Sequence, residues 1–97
     1  MANTKSTPAL RPLNEIAVDI KRSWRTEGAF DKSPRPSYIT WSMPYVDALL
    51  TMQSTRDNYY ADDGRSVVVY ALSNLGSWRG ENAKRIKAEL KAHAASA

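Results

Sequence analysis

VVVYALSNL (residues 67–75) admits two readings, and the fold turns on which of them holds. Three successive valines carry the β-branched side chains that strands favour. On a helical wheel, however, Ser66, Tyr70, Ser73 and Asn74 fall on one side, with Val67, Val68, Ala71, Leu72 and Leu75 opposite. A strand also needs a partner, and no second stretch of the chain is comparably strand-forming. The segment is therefore read as a central buried helix over 63–75, capped at its start by Asp62 or Asp63.

Working outward, Gly76 to Gly80 (GSWRG) breaks the chain, and a last helix follows over 80–93. Ala83, Ile86 and Leu90 form its apolar stripe, Glu81 stands four residues ahead of Arg85 in the favourable orientation, and Lys84, Lys87 and Lys91 form a basic ridge. Towards the N-terminus, Ser42 offers a cap and Pro44 a first-turn proline for a helix over 42–54. Its residues Tyr45, Val46, Ala48, Leu49, Leu50 and Met52 cover about half the wheel. The earliest helix is the clearest: Leu13, Ile16, Ala17, Ile20 and Trp24 recur at helical spacing over 13–26, and Gly28 stops it. Between these two lies GAFDKSPRPSYITW (28–41), whose Pro-Arg-Pro run cannot be helical, and Tyr38 to Trp41 could be a short extended segment. The expected architecture is all-α: a compact four-helix bundle with a long loop between helices 1 and 2. A polar arm spans 1–11, one helical domain spans 12–93, and a frayed tail, 94–97, follows His93.

Composition narrows the chemistry. At 97 residues the chain has room for one core, and it has no cysteine, so disulfides and thiolate metal sites are excluded. The net charge of +4 is unevenly spread: residues 1–35 and 79–91 are basic, while 45–64 is acidic. No stretch approaches about 18 consecutive apolar residues, and the first ten residues lack the apolar run of a secretory signal, so a cytoplasmic protein is expected.

No constellation points to catalysis, a metal or another cofactor. His93, the one histidine, falls near the tail, where nothing would hold it as a general base. Asp57, Asp62 and Asp63 lack the alternate spacing and distant glutamate of a calcium loop and read as caps. Arg79, Lys84, Lys87 and Lys91, with Trp78 beside them, could lie against phosphates, or simply form the solvated face of a terminal helix. A helix-turn-helix reading of the last two helices is weak, because Glu81 would stand where DNA approaches.

Three phrases, PYVDAL (44–49), YADDGRSVVVYALSN (60–74) and WRGENAKRIKAEL (78–90), preceded by NEIAVDIKRSW (14–24), carry a likeness. They resemble a group of small uncharacterised proteins encoded by tailed phages and prophages, over about two thirds of the chain. The resemblance implies a phage setting and a helical layout and brings no catalytic motif with it. The chain departs from the pattern between Trp24 and Pro44, where its connection is longer.

The function expected is that of a small non-enzymatic accessory protein that binds and modulates another protein, a host factor or defence component. The candidate contacts are Phe30, Arg35, Tyr38 and Trp41 in the long loop, since aromatic residues and arginine are the usual anchors. Those aromatics could equally belong to the core, or support a homodimer. The alternative is nucleic-acid binding through Trp78, Arg79, Lys84, Lys87 and Lys91.

Overall fold

The computed structural model describes residues 10–59 and 62–95. Four helices form its body: α1 (Leu13–Thr26), α2 (Ser37–Leu49), α3 (Gly64–Ser73) and α4 (Glu81–Ala95). The valine-rich segment is helical, and Val67, Val68, Ala71 and Leu75 are buried against neighbours on both sides. α3 packs on α2 and on α4, while α1 contacts both of those helices and closes the body. The core is apolar from all four: Leu13, Ile16, Ile20 and Trp24 from α1, Ile39, Val46 and Leu49 from α2, Val68 from α3, Ile86 and Leu90 from α4.

The start of α1 shows how local chemistry and tertiary structure meet. A helix start leaves four amide donors open, and here no side chain caps them. The carbonyl of Pro12 takes those of Glu15 and Ile16, at 3.0 and 3.2 Å, and the carbonyls of Gln53 and Met52 take those of Leu13 and Asn14, at 2.9 Å each. At the other end Gly28, with φ of 73°, adopts the left-handed conformation that closes a helix.

Helix α2 departs from the sequence reading. It begins at Ser37 and ends at Leu49, so the residues Tyr38 to Trp41, expected to be loop or extended, form its first turn. The proline at the helix start is Pro36, and Pro44 lies inside the helix rather than in its first turn. The physical reason is burial. Starting at Pro36 places Ile39, Ser42, Val46 and Leu49 on one inward line, and Ser42 Oγ donates to the Tyr38 carbonyl. The connection from α1 is accordingly shorter than expected, contains a one-turn 3₁₀ helix (Ala29–Asp31) and has a cis Ser33–Pro34 bond.

Between α2 and α3 the polar run folds into a turn and a two-residue antiparallel pair, β1 (Asn58–Tyr59) with β2 (Asp62–Asp63), which the sequence did not announce. Asp57 Oδ2 accepts from the amides of Gln53 and Ser54, and Asp63 caps α3 by accepting from the Ser66 amide at 2.9 Å.

Both margins of the described chain are tied down. Arg11, assigned from sequence to the polar arm, grips Glu89 with Nε and Nη2, each at 2.7 Å, and also reaches Asp19 at 3.0 Å. Residues 1–9 of that arm, and the last two residues of the tail, lie outside the described residues. The tail expected to fray from 94 is instead helical as far as Ala95, and His93, near its end, is held rather than loose: it is 3% exposed within α4, and its Nε2 lies 2.6 Å from the Arg11 carbonyl, which can only accept.

Candidate functional site

The four loop residues expected to face a partner divide sharply. Phe30 and Tyr38 pack inward around Trp24: Phe30 meets it edge-on at 6.0 Å, and Tyr38 lies 6.0 Å from it and stacks on Trp78 at 6.3 Å. Trp24 and Trp78 are themselves 5.8 Å apart, so four rings from α1, the 3₁₀ turn, α2 and the α3–α4 connection form one cluster. Burial, together with the charge of Glu27, raises the Tyr38 phenol above its ordinary value. Arg35 lies over the outer face of Phe30, 5.4 Å from its centroid, in a cation–π contact. Phe30 and Tyr38 therefore hold the body together, and only Trp41 of the three aromatics stands out, at 66% exposed.

Trp41 has neighbours that sequence reasoning missed. Tyr45 follows one turn later on the same side of α2, with exposed Pro44 beside it. The Tyr45 ring lies 5.5 Å from that of Tyr70 on α3, and Tyr70 is 48% exposed. Trp41, Tyr45 and Tyr70 thus form an aromatic ridge across the α2–α3 seam. Its sequence signal was the i, i+4 spacing of Trp41 and Tyr45, legible only once the helix is begun at Pro36.

The second face is basic. Trp78, Arg79, Lys84, Lys87 and Lys91, all five of the nucleic-acid candidates, line one open groove of about 700 Å³. Gly80, Ala83 and Ala88 give it a shallow floor, and Glu81 is its one acid. The five are not equivalent. Trp78 is 1% exposed and gives its indole N–H to Glu27 at 3.0 Å, so its ring is closed to a ligand. Lys87 is half-buried, and its ammonium donates to the carbonyls of Trp78 (2.7 Å) and Leu75 (3.0 Å). That position suits a cation, because carbonyl oxygens of the α3–α4 connection converge on it. Burial, and then the charges of Arg79 and Lys91, lower the Lys87 ammonium from its ordinary value. Arg79, Lys84 and Lys91 stay exposed.

On the opposite flank of α4, Arg85 turns from Glu81, its expected partner, to Asp19 at 2.9 Å. Asp19 then accepts from two guanidinium groups, Arg85 and Arg11, and Arg11 is shared with Glu89. These four side chains are mutually satisfied and join α1, α4 and the segment before α1. Among the described residues no group of three or more His, Asp or Glu is placed to hold a metal ion. No helix among them is long and apolar enough to cross a membrane. Comparison with protein-family models, with curated proteins and with solved structures finds no match to this chain.

Proposed function

We propose that the chain is a small non-catalytic binding protein of phage type that docks on another protein through the ridge of Trp41, Tyr45 and Tyr70. The observation that carries this reading is the indole of Trp41, two-thirds exposed on a helix whose inner face is locked into the core. Tryptophan and tyrosine dominate the energetics of protein contacts, and an anchor on a rigid helix loses little conformational freedom on docking. The ridge itself carries no charged side chain, so its partner is a protein offering an apolar pocket of indole size. The phage setting rests on the resemblance of the 44–49, 60–74 and 78–90 phrases, and in that setting the partner would be a host factor or defence component. The non-catalytic reading is supported by the commitment of the large apolar side chains to the core, and of His93 to the Arg11 carbonyl.

The test is affinity capture from a bacterial host lysate with the wild-type chain, Trp41→Ala and Tyr70→Ala, read by mass spectrometry. Binding of the captured protein is then remeasured with purified components. Trp41 is exposed, so Trp41→Ala shifts stability by no more than about 0.5 kcal/mol; Tyr70→Ala also removes the ring contact with Tyr45 and costs about 1 kcal/mol. Loss of an anchor costs about 2 kcal/mol of binding, roughly 30-fold in Kd. Capture profiles identical for wild type and both variants would remove the ridge from consideration. A concentration-dependent dimer abolished by Trp41→Ala would instead assign the ridge to self-association.

A further inference from the structure

We infer that the outer flank of α4 is a sequence-independent binding strip for the phosphate backbone of duplex nucleic acid, contacted by Arg79, Lys84 and Lys91. The strip is separate from the aromatic ridge, and its case rests on geometry. Lys84 and Lys91 stand two turns apart on one side of α4, about 10 Å along its axis, and Arg79 extends the line from the preceding turn. A strand of duplex DNA carries one phosphate per roughly 3.4 Å of axis, so this span faces about three phosphates. Gly80, Ala83 and Ala88 have no long side chains to keep a backbone away, and the one acid of the lining, Glu81, stands at the start of α4 beside Arg79, outside the Lys84–Lys91 span.

The same geometry excludes neighbouring ligand classes. Base stacking needs an open aromatic face, and Trp78 is sealed into the core with its N–H on Glu27. The strip therefore offers single strands nothing beyond charge. An amphipathic helix that lies on a membrane needs large apolar side chains beside its cations. Here Ile86 and Leu90 point into the core and Ala88 is the apolar residue between the lysines. Lys87 sharpens the assignment. Its ammonium is held by the Trp78 and Leu75 carbonyls, so it adds to the local field without being free to move onto a phosphate. Three contacts, not four, are counted.

Three phosphate contacts give a slope of log K against log salt of about −2.7 on duplex DNA, and hence an affinity loss of about 40-fold between roughly 50 and 200 mM salt. The measurement is fluorescence anisotropy of a labelled mixed-sequence DNA duplex titrated with the full chain across that range. Lys84→Ala and Lys91→Ala each flatten the slope by about 0.9, with an unchanged Tm because both side chains are exposed. Lys87→Met lowers the Tm and leaves the slope near that of the wild type. Arg56→Ala, exposed and outside the groove, leaves both unchanged. No binding at the lowest salt would overturn the assignment, as would a slope indifferent to Lys84 and Lys91. So would equally tight, equally lysine-dependent binding of phosphatidylserine vesicles or polyglutamate. These readouts are independent of the ridge, since Trp41→Ala leaves duplex binding untouched.

Discussion

Asp19 is held by three side chains, those of Arg11, Ser23 and Arg85. Its carboxylate is 11% exposed, lies on a helix otherwise buried along that face, and is tolerable there because two guanidinium groups donate to it. The hydrogen bond from Arg85, then that from Arg11, holds the carboxyl below its ordinary range against the opposing effect of burial. A carboxyl whose folded value lies below its unfolded value of about 3.9 stabilises the fold fully above that pH. The contribution is lost as pH falls through the lower, folded value. Asp19→Asn should therefore cost about 1–2 kcal/mol near neutral pH, discounted for the partly exposed arginines. Its Tm should also change less than that of the wild type on acidification below about pH 4. Parallel wild-type and variant curves of Tm against pH would contradict this account. None of this was legible in the sequence. Arg11 and Glu89 are 78 positions apart and Asp19 and Arg85 are 66 apart, and no local pattern pairs them.

At the scale of elements, α1 and α3 were readable because each carries its own instructions. In α1 these are a stripe of five apolar residues and a closing glycine; in α3, a polar side and an aspartate cap. Helix α2 was not, because its start depends on a choice between two prolines that only tertiary packing makes. Once Pro36 starts it, Pro44 falls in its interior, where it gives no amide to the Thr40 carbonyl four residues back. Replacing Pro44 with Ala restores that bond at the cost of a freer unfolded chain, and should raise stability by about 1–2 kcal/mol in urea unfolding. A neutral or lower midpoint would mean that the helix has already adapted to the ring. The start of α3 is less forgiving. A β-carbon at Gly64 would lie 2.3 Å from the Asp57 carbonyl oxygen and 2.5 Å from that of Thr55, both main-chain atoms. Gly64→Ala should cost about 1–3 kcal/mol through displacement of that turn, and an unchanged thermal midpoint would show that the 55–57 turn yields freely. The aromatic ridge belongs to the same lesson. Which side of Trp41 faces water follows from where α2 begins, so its misplaced start hid Tyr45 and Tyr70 as partners.

At the scale of the molecule, apolar side chains from all four helices close one core, and the surface outside it carries an aromatic ridge on α2 and α3 and a basic strip on α4. Together the two proposed contacts would bring a protein and a polyanion into one assembly. A double variant, Trp41→Ala with Lys84→Ala, should weaken both binding readouts by the amounts of the single changes while keeping the circular-dichroism spectrum of the parent; loss of the spectrum would instead place one of these side chains in the fold. The carbonyls of Met52 and Gln53 bear on something else, the order in which such a chain can acquire structure. They complete the first turn of α1, forty positions upstream, so a polypeptide emerging from the ribosome has to wait for them. A fragment covering 10–49 should show less helicity per residue than one covering 10–58, although the extra stretch contains no helix of its own. The first turn of α1 is finished by the segment that follows α2, so synthesis passes all of α2 before the first helix is sealed.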